Sequence, residues 1–435
     1  MTPAFRRRKD CTGNVTHYHP LKLSSEEATA LRALASGNHA AKARRARLIL
    51  RSAEGMPQAA IAAEVGLSER QVRRWQRAFA LNRMAIFAVQ PAEEAETALA
   101  LPGSPLPAPD QPRRPLRLLK SPGLTPDLPM SEAGRKVLHF HFERMLLHEP
   151  GSRLGEDIEA VHDMRVATRR MRSAFVIFEA FYRPRVVRPL IRDLRQAGRI
   201  LGAVRDPDVF LEKLDHYRQT LPESEQGGIA PLVNAWRERR EAARTALIAY
   251  LDGPDFTRFV EEFEAFLTTE GAGARKIDPA MPGAYLVRHV VPRLLYERYE
   301  AVRAYEPILD RAPIETLHAL RIDCKRLRYA LEFFLEVLGP ETKKVIEEVK
   351  TIQDHLGDLH DAQVAGDLLR TFIGEYEQAQ AATPLIERGS IEGVAQYMAS
   401  RFAEKHRLLV TFPDAWARFT RPEVRRDLAL AVSVL

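Results

Sequence analysis

The 435-residue sequence has only two cysteines, Cys11 and Cys324, too few for a disulfide framework or a cysteine-based zinc site. Charged residues interrupt its apolar runs well short of the roughly 20 residues that a membrane-spanning helix needs. No apolar run follows the basic residues Arg6 to Lys9, so no secretory signal is predicted. These absences favour a cytoplasmic protein, and the length predicts two or three domains.

The motifs of common hydrolases and phosphate enzymes are also missing. The sequence has no Walker A loop, no Gly-x-Ser-x-Gly nucleophile elbow and no His-Glu-x2-His metal pair. Asp206 and Asp361 each follow a Leu-Gly segment, but a lone carboxylate beside a helix start is more often a cap than a catalytic group. We therefore predict a protein that is not an enzyme and needs no cofactor.

Positive charge is concentrated in the first fifth of the chain. Residues 1–90 carry 16 basic and 6 acidic side chains, or +10, whereas residues 130–435 carry 45 and 47, or −2. Residues 91–129 contain ten prolines, which block helix formation. The sequence predicts a basic module at 20–90, a Pro-rich linker at 91–129 and a C-terminal domain at 130–435. The basic excess favours a polyanionic partner such as nucleic acid.

The C-terminal domain is predicted to be helical and internally duplicated. Its apolar residues recur at spacings of three and four, without strand alternation of useful length. The segment from His162 to Arg172 matches the segment from His318 to Arg328 at an offset of 156. Two further matches follow in the same order: the Leu-Gly segments that begin at Leu201 and Leu356, at an offset of 155, and the pair Arg240 and Arg244 with Arg401 and Lys405, at an offset of 161. We predict an all-α fold with repeats at 130–275 and 280–435, each a helical bundle, related by pseudo-two-fold symmetry.

The duplicated segment places cations on one helix face and apolar residues on the other. At about 100° per residue, the cations of each copy fall within an arc of about 80°. Adjacent like charges destabilise a helix, so such a face is favourable where an anion neutralises it. Arginine suits phosphate because its planar fork donates two parallel hydrogen bonds. The first stripe consists of His162, Arg165, Arg169 and Arg172, and the second stripe of His318, Arg321, Lys325 and Arg328.

Further cations at helical spacing extend these stripes. In the second repeat, Glu347 and Asp354 replace two arginines of the first, so we expect the first repeat to be more electropositive. The additional candidate anion ligands are Arg195, Arg199, Arg240, Arg244, Lys350, Arg401 and Lys405. Ordinary surface charge paired with glutamates is the simplest alternative, but repetition at identical spacing argues against it. Metal binding is not predicted, because one histidine per repeat among arginines is a poor cation site.

The two stripes resemble the signature of the CHAD family, the conserved histidine α-helical domain. The resemblance covers about 130–435 and includes both Leu-Gly segments. It implies two four-helix bundles around a basic cavity that binds inorganic polyphosphate, with the two stripes as ligands. Family members are often fused to a triphosphate tunnel enzyme, but its Glu-x-Glu-x-Lys strand motif is absent from this sequence. Glu347 and Asp354 depart from a basic surface on the later helix of the second repeat.

Residues 24–80 are predicted to form four short helices that include a helix-turn-helix. Ala62 allows close helix approach, Gly66 supplies the turn and Val72 packs back. The second helix of the motif would expose the candidate DNA ligands Arg70, Arg73, Arg74 and Arg77. The segment resembles the homeodomain-like helix-turn-helix of transposases and bacterial regulators, which implies double-stranded DNA as a partner. Protein contact and added polyphosphate affinity are the alternatives, since DNA binding includes sequence-independent attraction to phosphate.

The sequence as a whole predicts a non-enzymatic polyphosphate-binding protein with an appended DNA-binding module. Such a protein would be located at polyphosphate granules or the nucleoid. The alternative is a DNA-binding transcriptional regulator whose C-terminal domain senses another anion or a partner protein. A polyphosphate enzyme is disfavoured by the missing carboxylate motif for metal.

Overall fold

The computed structural model describes residues 23–36, 40–65, 119–155, 157–276 and 285–435, together with positions 72, 75, 76, 79, 83 and 84. The chain divides into two compact units, Met1–Arg113 and Arg114–Leu435. Throughout the described residues the regular secondary structure is helical, apart from two isolated β-bridges. The all-α prediction is confirmed. No helix of these residues has the length and apolarity to cross a membrane.

The N-terminal unit contains α1 (Ser25–Ala35), α2 (Ala40–Ala53) and α3 (Gln58–Val65). A capping box begins α1: the Glu27 N–H donates to the Ser24 hydroxyl at 3.1 Å, and the Ser24 N–H donates to the Glu27 carboxylate at 2.8 Å. Ala62 and Val72 share one buried apolar cluster, as the helix-turn-helix spacing predicts. Gly66 and the candidate DNA ligands Arg70, Arg73, Arg74 and Arg77 lie outside the described residues.

In its described residues the C-terminal unit has two successive sets of five α-helices. The first repeat comprises α4 (Met130–Leu154), α5 (Ile158–Phe178), α6 (Pro184–Thr220), α7 (Ala230–Asp252) and α8 (Pro254–Thr268). The second repeat comprises α9 (Val287–Arg303), α10 (Ile314–Phe333), α11 (Thr342–Ala379), α12 (Glu392–Phe419) and α13 (Pro422–Val432). The third helix of each is the longest, with 37 and 38 residues. Each repeat thus adds a short fifth helix to the four that the resemblance implied.

One hydrophobic core spans both repeats and fixes the two helices that carry the stripes. The apolar faces predicted for these helices are buried in it: Met164, Ala167, Met171, Ala174, Phe175 and Phe178 on the first, and Leu320, Leu327, Ala330, Leu331 and Phe334 on or directly after the second. The rings of Phe178 and Phe334 lie 5.6 Å apart across the repeats. Full burial of each larger side chain contributes roughly 1.5–3 kcal/mol, which holds α5 against α10.

A second apolar cluster joins the far ends of the repeats. The ring of Phe210 stacks on Trp236 at 4.5 Å and meets the edge of Tyr397 from α12. Nearby, a Cβ added to Gly393 would lie only 2.5 Å from the carbonyl carbon of Gly228. The close backbone approach therefore requires glycine at this point. The two repeats are held together at two separate places.

Residues 119–129, which the sequence assigned to the linker, pack against the helical unit. Leu124 is buried, and its N–H donates to the Glu336 carboxylate. The Leu119 carbonyl accepts a hydrogen bond from Arg144 at 3.0 Å, and Pro129 forms a β-bridge with Leu286. The folded unit therefore begins before Met130.

Candidate anion-binding site

The first and second stripes lie on neighbouring helices, α5 and α10, and act on each other electrostatically. Burial, followed by repulsion from Arg169, Arg321, Arg172 and Arg165, lowers the pKa of Lys325 to about 8. Three of those four arginines belong to the opposite stripe. The two cationic faces, 156 residues apart in the sequence, thus form one cluster in the folded chain.

Arg169 is at the centre of this cluster. Burial, and then repulsion by Arg165, Arg328 and Arg170, lowers its pKa. Its Nε atom is buried and has no hydrogen-bond acceptor among the described residues, and the same holds for the Nε atom of Arg321. A buried donor without an acceptor costs roughly 1–3 kcal/mol. A bound anion would remove that cost at both stripes.

The ring of Tyr329 lies among the same cations. The charged ends of Arg170, Arg328 and Lys325 are 5.6, 5.4 and 5.9 Å from its centroid. The negative face of an aromatic ring attracts cations at such distances. Tyr329 is itself 1% exposed, and its hydroxyl has no hydrogen-bond partner within the described part of the chain. The ring offsets part of the repulsion and occupies none of the guanidinium donors.

Carboxylates neutralise the stripes only in part. Asp206 Oδ1 lies 3.2 Å from Arg165 Nη2, and the Asp206 side chain is 70% exposed. Glu332 lies 2.8 Å from Arg170 Nη1, beside the first stripe, and 3.7 Å from Arg328 Nε. An exposed pair such as that of Arg165 contributes about 1 kcal/mol or less. The contact with Asp206 therefore neutralises Arg165 only weakly.

The Leu-Gly segments of α6 and α11 lie beside the two stripes in matching ways. A Cβ on Gly202 would be 3.5 Å from Arg165 Nε, and a Cβ on Gly357 would be 3.8 Å from Arg321 Nε. On the preceding turn of α6, a Cβ on Gly198 would be 3.4 Å from Arg172 Nη1. The stripes, matched at an offset of 156, and the Leu-Gly segments, matched at 155, therefore belong to one repeated arrangement. In each repeat a cationic helix face lies against a glycine of the long third helix.

The stripe histidines lie in different surroundings in the two repeats. His318 Nδ1 lies 3.2 Å from His360 Nδ1, so one imidazole donates and the other accepts. Burial, followed by the charge of Arg321, lowers the pKa of His360. His162, the counterpart of His318, is half-buried on α5. The described residues contain no group of three His, Cys, Asp or Glu side chains placed to hold a metal ion.

Arg195 and Arg199 extend the first stripe along α6. Both side chains are exposed. Burial, followed by the charges of Arg195, Arg165 and Arg199, lowers the pKa of Arg172. The structure therefore brings these two predicted ligands to the edge of the cluster.

Arg240 and Arg244, which are also predicted anion ligands, make contacts within the protein. Arg240 Nε donates to Asp208 Oδ1 at 2.6 Å and neutralises a carboxylate that is only 2% exposed. Arg244 Nη2 donates to the carbonyls of Arg153 and Leu154 at 2.8 Å, which satisfies the C-terminal end of α4. The regular spacing of these arginines gave no sign of these internal acceptors.

The remaining candidates lie in the second repeat and have mixed surroundings. Lys350 Nζ is 3.8 Å from Glu347 on an exposed surface. Arg401 lies over the Tyr397 ring at 5.2 Å and lines a pocket of about 700 Å³ that also contains carboxylates. Lys405 is half-buried one turn further on. Their role in anion binding stays a prediction.

The fold and the site together define an all-α protein with a duplicated cationic helix pair. A model of the CHAD domain matches residues 136–370, more than half of the chain. The chain belongs to the CHAD family, which confirms the resemblance drawn from the stripes. A model of a homeodomain-like domain matches residues 39–84.

Several known proteins are similar to this chain. Uncharacterized proteins from two strains of Mycobacterium tuberculosis are each 28% identical over 292 residues, which is 66% of this chain and 54% of theirs. The chain thus spans about half the length of these curated relatives. A crystal structure of the CHAD domain from the plant Ricinus communis is 26% identical, with a TM-score of 0.50 over 73% of this chain and 97% of that chain. PptA from Streptomyces chartreusis is 16% identical, with a TM-score of 0.49 over 67% and 100%.

Proposed function

We propose that the C-terminal unit binds inorganic polyphosphate between the first and second stripes. The observation that carries this proposal is the concentration of half-buried cations around Lys325, drawn from both repeats and only partly neutralised. The buried Nε donors of Arg169 and Arg321 supply hydrogen bonds that the protein itself leaves unused in its described part. Membership of the CHAD family, whose domains are linked to polyphosphate binding, supports the same ligand.

Polyphosphate fits this cluster because it presents negative charge and acceptor oxygens at every unit of a linear chain. Each hydrogen bond between an arginine and a phosphate oxygen contributes roughly 1.5–3 kcal/mol. Successive turns of α5 and α10 would place such donors along one ligand. We propose binding without a catalytic step of the protein's own.

The N-terminal unit is proposed to bind double-stranded DNA. Its homeodomain-like match and its charge of +10 over residues 1–90 support this function. A protein with both activities would connect polyphosphate granules with the nucleoid or with transcription. The alternative function is a DNA-binding regulator whose C-terminal unit senses another anion or a partner protein.

Calorimetric titration of the full chain with long-chain polyphosphate, at two salt concentrations, tests the first proposal. A variant with Arg165, Arg169, Arg321 and Lys325 changed to Ala should bind at least about 100-fold more weakly, because it lacks four charge-assisted contacts. The control variant loses four exposed, ion-paired arginines elsewhere, Arg218, Arg258, Arg293 and Arg426. The affinity of this control for polyphosphate should stay within about threefold of the wild-type affinity. If the two variants bind polyphosphate with equal affinity, the alternative function, a DNA-binding regulator, would be favoured.

The DNA proposal is tested with Arg73→Ala and Arg74→Ala in the same full chain. Duplex binding should be lost, while the affinity for polyphosphate should be unchanged. Loss of both activities together would show a general polyanion surface in place of a DNA reader.

A further inference from the structure

Lys325 differs chemically from its neighbours in the two stripes. An arginine guanidinium does not lose its proton in proteins, whereas a lysine amine does and then becomes a nucleophile. Lys325 is half-buried on α10, and its Nζ atom is 5.9 Å from the Tyr329 centroid. It is therefore the one amine among the eight side chains of the two stripes.

The surroundings of Lys325 favour the neutral amine. From α5, Arg165, Arg169 and Arg172 oppose its charge, and on its own helix Arg321 does the same. No carboxylate of the described residues forms an ion pair with it. With its pKa lowered to about 8, the amine loses its proton much closer to neutral pH than an ordinary lysine, whose pKa is about 10.4.

The same arginines would form a phosphate seat near this amine. The Nε atoms of Arg169 and Arg321 are buried without an acceptor in the described structure. A small molecule that carries a phosphate joined to a carbonyl carbon would be held there by its phosphate. Its carbonyl carbon would then lie within reach of the amine.

We propose that Lys325 is acylated by acyl phosphates, molecules that join a carboxylic acid to phosphate through a mixed anhydride. The unprotonated Nζ attacks the carbonyl carbon, a C–N bond forms, and the C–O bond to phosphate breaks. The bonding pair leaves with inorganic phosphate, whose charge the arginines stabilise, and the amine releases one proton to solvent. The products are an amide at Lys325 and inorganic phosphate, and nothing is oxidised or reduced.

Acylation would also regulate the site, a consequence that rests on the proposed function. The amide is neutral, so it removes a central cation from the polyphosphate site. Polyphosphate and acyl phosphates would compete for the same arginines. We expect acylated protein to bind polyphosphate about tenfold more weakly, since one charge-assisted contact is lost.

The test is a time course of the full chain with acetyl phosphate, read residue by residue by mass spectrometry. Lys325 should be acetylated at least about tenfold faster than Lys344, an exposed lysine of α11 that serves as an internal control. Its rate should saturate with acetyl phosphate and fall when inorganic phosphate is added, because the phosphate seat fills before reaction. Arg169→Ala should slow this labelling, whereas Arg258→Ala should not.

A phosphate-free reagent, the N-hydroxysuccinimide ester of acetic acid, separates amine reactivity from phosphate binding. Arg169→Ala should reduce labelling by acetyl phosphate more than labelling by this ester. A Lys325 rate equal to that of Lys344, or without saturation, would overturn the inference even if polyphosphate binds. Saturable labelling of Lys325 in a protein that does not bind polyphosphate would support the inference and reject the proposed function.

Discussion

The two repeats share a fold and a cationic helix face but differ in the charge on their long third helices. Four arginines lie along α6, at positions 188, 192, 195 and 199, whereas the matching positions of α11 hold Lys343, Glu347, Lys350 and Asp354. The stripes on α5 and α10 differ much less. A cationic stripe is therefore common to both repeats. Only the first repeat adds a second row of positive charge, along α6.

Matching positions also perform different tasks. Arg240 of α7 neutralises the buried Asp208, whereas its counterpart Arg401 of α12 contacts the Ser400 hydroxyl at 3.3 Å and the Tyr397 ring. Within the described part of the chain Arg401 forms no ion pair, although its charge, after that of Arg407, helps to lower the pKa of Glu404. The recurring cation thus pairs with a buried carboxylate in the first repeat and forms no ion pair in the second, so we expect it to be more available for a ligand there.

The largest expected difference between the repeats is in stability. Arg240→Ala should destabilise the fold by about 3 kcal/mol, because it leaves the buried carboxylate of Asp208 unpaired. Arg401→Ala should change stability by less than about 1 kcal/mol. Urea unfolding of the full chain, followed by helical circular dichroism, measures both. Equal shifts of the two midpoints would contradict the division between structural and available cations.

Charge reversal on the third helices should have the next largest effect. Arg199→Asp should weaken polyphosphate binding about tenfold, and Asp354→Arg should strengthen it about threefold, because each alters the field beside the stripes. Both effects should shrink in high salt, since exposed charges are screened. Titrations at two salt concentrations provide the measurement. If neither reversal changes affinity, α6 and α11 do not flank the ligand.

The smallest expected difference is a pH dependence that belongs to the second stripe. Arg169 of the first stripe corresponds to Lys325, whose pKa is lowered to about 8. The protonated amine attracts the anion, so polyphosphate affinity should fall about threefold to fivefold as the pH rises from about 7 to about 9.5. Binding near pH 8 should also take up protons. Lys325→Arg should flatten this profile, and an unchanged profile would assign the dependence to another group.

Periodicity in the sequence was sufficient to predict the helices of the duplicated unit and their buried faces. The eleven residues of the two apolar faces follow directly from 3.6 residues per turn, and all of them are buried in the core. The same rule placed the cations on the opposite faces. Local spacing determines which side of a helix is apolar, so these features need no knowledge of the tertiary structure.

Contacts between distant residues were beyond such a prediction. The acceptor of Arg240 is 32 residues away, and the acceptors of Arg244 are about 90 residues away, so helical spacing could not reveal these contacts. The meeting of the two stripes and the contact of His318 with His360 likewise depend on how the helices pack. The proline content of residues 91–129 concealed the fact that 119–129 fold onto the helical unit.

The most direct test of the account is whether the two stripes form one site or two. Calorimetry with a short polyphosphate of defined length should compare the wild-type chain with two variants, Arg165→Ala with Arg169→Ala, and Arg321→Ala with Lys325→Ala. If the stripes share one ligand, each variant should lose affinity by a similar large factor and retain no tight site. The account would be contradicted if each variant bound half as many ligands as the wild-type chain, with an unchanged Kd. Each stripe would then bind a ligand of its own.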